Sequence, residues 1–144
     1  MGLILDSSIF IGDERKQFNL LAFYAAHPQE IPYIAAITAS ELLHGVERAI
    51  PEHRLLRSQR IEQILTTIEV IDFDLAIARR YAAIWAILEA AGKQVAPHDL
   101  QIGVTALHLG FAVATTNTRH FEKIPGIRLI DTTPFLLKKA SRTR

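Results

Sequence analysis

Short apolar runs alternate with longer amphipathic stretches along the whole chain, and most runs end on a polar residue. Leu3 to Leu5 reads as a buried strand closed by Asp6, and Phe18 to Ala26 as a helix stopped ahead of Pro28. Ile34 to Ile37 is a second strand. Thr38 and Glu41 after it have the spacing of a capping box opening a helix through Arg48. Beyond Pro51 the pattern predicts a helix over Glu52 to Thr66, a strand over Ile68 to Ile71, and a long helix capped by Asp74 and ended near Ala91 by Gly92. Pro97 starts another helix to Leu109, Gly110 stops it, and strands follow at Ala112 to Thr115 and Ile127 to Ile130. Strands alternating with helices imply parallel pairing, right-handed crossovers and helices on both faces. The expected fold is a three-layer α/β/α domain with a mostly parallel sheet of about five short strands.

The long helix departs from a single core-facing stripe. Leu75, Ile77, Ala78, Tyr81, Ala82, Ile84, Trp85, Ile87 and Leu88 spread over too wide an arc. Such a helix is either enclosed on two sides or offers one face to a second copy, and a homodimer is the more economical expectation.

A chain of 144 residues, 49% hydrophobic and 22% charged, fits one domain with its own core, taken as residues 1–137, followed by a basic tail over 138–144. With no cysteine, disulfides, thiol catalysis and thiolate metal sites are excluded, and a reducing cytoplasm is the compatible setting. The first ten residues do not resemble a secretory leader, and the longest apolar stretches fall short of the roughly 20 residues a bilayer demands, so no membrane role is expected. Sixteen basic against fifteen acidic residues leave a net charge of +1, which argues nothing about nucleic acid. Local clustering says more. Arg48 and the row Arg54, Arg57, Arg60 read either as a solvated helix face or as phosphate contacts.

Asp6, Glu41, Asp99 and Asn117 all stand where an apolar run ends or a helix begins. Each alone has a structural explanation: Glu41 in the capping box, Asp99 at a helix dipole, Asn117 and Asp6 as caps. Together they occupy positions that an open α/β sheet gathers at the carboxyl ends of its strands. Asp99 also shares a helix face with Ile102, Gly103, Ala106 and Gly110, so a carboxylate lies at the edge of a tightly packed stripe. Several carboxylates around one divalent cation would relieve each other's repulsion. Oxygen ligands without cysteine favour Mg²⁺, or Mn²⁺, over Zn²⁺.

Four stretches carry a resemblance. Leu-Ile-Leu-Asp-Ser-Ser-Ile-Phe, Thr-Ala-Ser-Glu-Leu-Leu-His-Gly-Val, His-Asp-Leu-Gln-Ile-Gly-Val-Thr-Ala and Ala-Thr-Thr-Asn-Thr-Arg-His-Phe are similar, in order and spacing, to the motifs of PIN-domain proteins, specifically the toxin ribonucleases of the VapC type. The resemblance spans roughly residues 3 to 131. It implies Asp6, Glu41 and Asp99 as metal-binding catalytic acids, Asn117 as the fourth polar member, and Ser7 and Thr115 as accessory hydroxyls. It also implies an Mg²⁺-dependent endoribonuclease cleaving single-stranded or looped RNA, held in check by a small antitoxin whose segment fills the groove. Arg48, Arg54 and Arg57 are the expected RNA contacts. Two departures stand out: Asn117 brings no charge to a second cation, and His120 stands where relatives often carry an acid before Phe121.

The rival within the same fold is a catalytically inactive PIN domain serving as an RNA-binding or assembly module. Other α/β chemistries fit less well. Ser8 stands where a haloacid-dehalogenase phosphohydrolase needs a second Asp, and no Gly-x-Gly-x-x-Gly follows the first strand for a dinucleotide.

Overall fold

The computed structural model describes residues 1–138, so all of the expected basic tail except Lys138 lies outside the described residues. Four parallel strands, β1 (Gly2–Leu5), β2 (Ile31–Ala35), β3 (Glu69–Ile71) and β4 (Ala112–Ala114), form one sheet in the order β3-β2-β1-β4. Around it pack α1 (Ser7–Glu14), α2 (Leu20–Ala26), α3 (Ala36–Glu47), α4 (Pro51–Thr67), α5 (Leu75–Ala90), α6 (Pro97–Leu109) and α7 (Thr118–Phe121).

Strand periodicity divides the core in two. Leu3 and Leu5 of β1, with Ile34 of β2 and Ala114 of β4, face a cluster holding Ile9, Phe10, Phe18, Phe23, Leu42 and Ile61. Ile4, Ala35 and Val113 face the opposite cluster, with Ile77, Ile84 and Leu88 of α5 and Leu100, Ile102 and Val104 of α6. Because alternate side chains of a strand leave opposite faces, two helical layers are required, and the α/β/α architecture follows. The chain leaves β1 for β2 and β3 on one side, then returns to β4 on the other. The edge between β1 and β4 is therefore a topological switch point, where a crevice opens beyond the strand ends.

Several expectations need correction. Ile127 to Ile130 forms no strand: Leu129 makes one isolated bridge to Val113, through Val113 N–H to Arg128 O and Ile130 N–H to Val113 O, so the sheet has four strands instead of about five. β2 begins at Ile31 and ends at Ala35, with Pro32 in register with Leu3, and α3 begins at once. Ala35 is thus the residue preceding α3, Thr38 is already inside the helix, and there is no Thr38–Glu41 capping box. Thr38 Oγ1 is buried without a hydrogen-bond partner. A helix absent from the sequence reading, α1, follows Asp6 immediately. Its Ile9, Ile11 and Gly12 are poor helix formers, and the helix is held by burial of Ile9 and Phe10. The next helix starts at Leu20, capped by Asn19 accepting from Ala22 N–H, while Phe18 sits in the core.

Other signals hold. Asp74 accepts from Ile77 N–H at the start of α5, Pro97 opens α6, and Gly110 ends it with φ +71°, the left-handed conformation that glycine adopts without strain. No helix of the described residues is long and apolar enough to cross a membrane.

Candidate metal and RNA site

Register builds the site. Leu5 pairs with Ala114, so the next residues, Asp6 and Thr115, emerge side by side where β1 and β4 end, and Asp6 N–H donates to Ala114 O at 2.9 Å. Asp6 is 4% exposed. Its Oδ2 accepts from Thr115 Oγ1 and from Ser8 Oγ, each at 2.8 Å. Although Asp6 precedes α1, its side chain caps nothing there; both hydroxyl bonds hold it toward the crevice. Thr115 Oγ1 in turn accepts from Asn117 N–H at 3.0 Å and Ser8 Oγ from Thr116 N–H at 3.0 Å, while buried Thr132 donates to Thr115 O at 2.8 Å.

The other acids come from two helices. α3 carries Glu41 into the crevice one turn beyond Thr38, where its Oε2 accepts from Ser7 Oγ at 3.3 Å. The first turn of α6 carries Asp99. Asp6, Glu41, Asp99, Asn117 and Ser7 line one cavity of about 440 Å³, joined by His98 and His120. All four polar positions expected from the sequence therefore share one pocket, as does Ser7, and Thr115 acts through Asp6 from behind. Ser8, which the sequence marks only as standing in place of a second Asp, and Thr132 join the site through hydrogen bonds. The Asp-x-Ser spacing at a strand-to-helix junction was a legible sign for Ser8, whereas Thr132 is brought in only by the tertiary fold.

Electrostatics mark the pocket as short of positive charge. Burial pushes the Glu41 carboxyl above its ordinary value and the Asp6 charge pushes it further, against the opposing pull of His98 and the Ser7 hydrogen bond. Asp99 is raised in the same way, first by burial and then by Asp6, with His120 and His98 opposing. Carboxylates that raise one another's pKa would be relieved by a divalent cation, and the oxygen-rich walls suit Mg²⁺ or Mn²⁺. Among the described residues no three His, Asp or Glu side chains already converge as a cage. A cation seated here would keep part of its water shell, as Mg²⁺ does when one or two carboxylates hold it.

A second groove adjoins the pocket, sharing Glu41 and His98, and is lined also by Arg15, His44, Gly45, Arg48 and Arg57. The arginine row is not free. Arg54 pairs with exposed Glu47 at 2.7 Å, Arg57 with Glu14 at 3.0 Å and Arg60 with Asp13 at 2.8 Å. Of these, only Arg57 also faces the groove, together with Arg48.

Residues 3–127 match the family described as PIN domain. A Salmonella typhimurium protein named tRNA(fMet)-specific endonuclease VapC is 38% identical over 98 residues, covering 68% of this chain and 73% of the relative. A Rickettsia bellii protein named Ribonuclease VapC is 32% identical over 133 residues, covering 90% of this chain and 96% of the relative. The crystal structure of DNA-bound VapBC from Salmonella typhimurium superposes with a TM-score of 0.80 at 29% identity, covering 91% of this chain and 98% of that one.

Proposed function

The chain belongs to the PIN-domain family and is of the VapC type, and from that premise we propose that it is a divalent-metal-dependent endoribonuclease, the toxin of a toxin–antitoxin pair. The observation that carries this reading is the convergence of Asp6, Glu41 and Asp99 on one cavity at the switch point of the sheet. Asp6, Glu41 and Asp99 would hold a hydrated Mg²⁺ or Mn²⁺, with Asn117 at the rim. A cation held there would supply Lewis-acid chemistry, a more acidic water and charge stabilisation for phosphodiester hydrolysis.

The protein's own contribution is positional. Thr115 and Ser8 fix the Asp6 carboxylate by donating to one of its oxygens, leaving the other for the ion. Ser7 steadies Glu41 across the pocket. Arg48 and Arg57 line the adjoining groove, along which the RNA backbone would run away from the cleavage point. The Salmonella relative is named for cutting tRNA(fMet), so a structured RNA with an exposed loop is the substrate class proposed here. With RNA as substrate, the site of action is the cytoplasm. The VapBC complex, named for both halves of such a pair, supports a small antitoxin as partner.

The test is cleavage of looped RNA by wild type, Asp6→Asn and Asp99→Asn with Mg²⁺, Mn²⁺ or EDTA. Loss of cleavage in both variants and in EDTA is expected. Cleavage that survives chelation or both substitutions would remove the nuclease reading, and wild type that binds RNA without cutting it would make the chain a binding module.

A further inference from the structure

His120 Nδ1 stands 3.3 Å from Asp99 Oδ2, and both residues line the acid pocket. The contact is held in place by the core. Phe121 and Ile124 are buried, and they pin α7 and the turn after it against α6. Gly103 lies one turn beyond Asp99 on α6, and a Cβ there would run into the Cδ1 end of Ile124, so the missing side chain eases the close approach. The His120 side chain is itself 60% exposed. As an ion pair, so exposed a contact contributes little to stability. As a pair of metal donors it has a favourable bite: two ligand atoms each about 2.1 Å from one cation lie about 3.0 Å apart at a right angle and about 3.4 Å apart at the tetrahedral angle.

We propose that His120 supplies a nitrogen ligand beside Asp99, making this a mixed imidazole–carboxylate cation site that favours Mn²⁺ and Co²⁺ over Mg²⁺. The proposal rests on the reading of the pocket as a cation site. An imidazole nitrogen adds affinity for first-row transition ions, more for Co²⁺ than for Mn²⁺, whereas Mg²⁺ gains little from exchanging water for nitrogen. Coordination through Nδ1 leaves the ring proton on Nε2. His98 lines the same cavity and acts on Glu41 and Asp99 through its charge, but among the described residues it makes no ion pair with any of the three acids.

The experiment uses the full chain without RNA: an ion bound without His120 overturns this proposal alone, whereas failure to bind any ion overturns the metal-dependent nuclease reading with it. Mn²⁺ is titrated into wild type, His120→Ala and His120→Asn, and the bound ion is read by pulsed electron paramagnetic resonance for ¹⁴N coupling. Co²⁺ and Mg²⁺ affinities are measured in parallel by calorimetry, with unfolding curves confirming that the variants fold. The expected result is nitrogen coupling in wild type that disappears in His120→Ala. Co²⁺ affinity should drop at least about tenfold, the scale seen on losing even an outer-shell partner, while Mg²⁺ affinity changes by less than about twofold. An ion bound with oxygen coupling alone, nitrogen coupling that persists without His120, equal Co²⁺ affinities, or no Mn²⁺ binding at all would each overturn the proposal.

Discussion

Thr115 Oγ1 donates a 2.8 Å hydrogen bond to Asp6 Oδ2, joining residues 109 positions apart at the ends of adjacent strands. Both are buried, so the bond is charge-assisted and shielded from water. Thr115→Val keeps the shape and removes both this donor and the acceptor of Asn117 N–H. Ser8 remains as the only side-chain donor to that oxygen among the described residues. The expected loss is about 1.5–3 kcal/mol of unfolding free energy, read by urea denaturation, together with weaker Mn²⁺ binding. Unchanged stability would mean that Ser8 alone suffices.

Gly103→Ala tests how closely α6 must approach the segment after α7. The added methyl would meet the Cδ1 end of the buried Ile124 side chain, so Ile124 must change rotamer or its segment must shift. Overpacking of this kind should cost about 1–3 kcal/mol. Because Asp99 and His120 sit at the outer ends of the two packed segments, the same substitution should lower Mn²⁺ affinity even where the protein remains folded. Full stability with wild-type affinity would show that the segment shifts freely.

The metal-free protein should lose stability as pH rises. Glu41 and Asp99 are both held above their ordinary values by burial and by Asp6. For an acid whose folded pKa exceeds its unfolded one, the stabilising contribution is fully present below the unfolded value, about 4, and is lost as pH climbs through the folded value. In EDTA, Asp99→Asn should therefore melt above wild type at pH 7, and the difference should shrink toward pH 4. Adding Mn²⁺ at pH 7 should reverse the order, since only wild type retains the full acid set. A difference in EDTA that is the same at both pH values would contradict the argument.

Much of this site was visible in the chain before any fold was known, because the switch-point positions of an α/β sheet are set by where apolar runs stop. Asp6, Asp99 and Asn117 are such positions, and the Pro97 and Gly110 boundaries of α6 placed Asp99 in a first turn. Glu41 shares the pocket with them, but its structural explanation as a capping-box partner does not hold: α3 starts at Ala36, and a Thr-x-x-Glu spacing cannot reveal that the helix has already begun. The α1 helix was missed because Ile9, Ile11 and Gly12 have weak helical preference and only burial fixes them. The fifth strand was overcounted because Ile127 to Ile130 has strand composition but pairs through Leu129 alone. Which arginines face the groove was also illegible, since three-residue spacing and a carboxylate partner are shared by Arg54, Arg57 and Arg60, and only the place of Arg57 in the groove wall separates them.

That separation predicts unequal effects on RNA. Arg48→Gln and Arg57→Gln should each weaken binding across all sequences and lower the salt slope by about 1. Arg54→Gln, whose partner Glu47 is exposed away from the groove lining, should leave the slope nearly unchanged. Binding measured in EDTA, so that no cleavage occurs, over a range of salt concentrations reads this directly. Slopes unchanged from wild type in all three would return the row to a solvated face.

The wide apolar arc of α5 is only half used in the monomer. Ile77, Ile84 and Leu88 are buried, but Trp85 is 53% exposed, Ile87 56% and Leu75, at the start of the helix, 67%. Tyr81 packs edge-on between Phe73 and Trp85, so these side chains form an ordered aromatic ledge instead of scattered surface positions. A ledge of that size exposed to water favours burial against a second copy. Trp85→Arg should therefore leave monomer stability within about 0.5 kcal/mol, as exposed substitutions do, while moving the sedimentation coefficient from dimer to monomer. A wild-type chain that sediments as a monomer at high concentration would leave the ledge without this partner, and an unfolded variant would show that Trp85 belongs to the core after all.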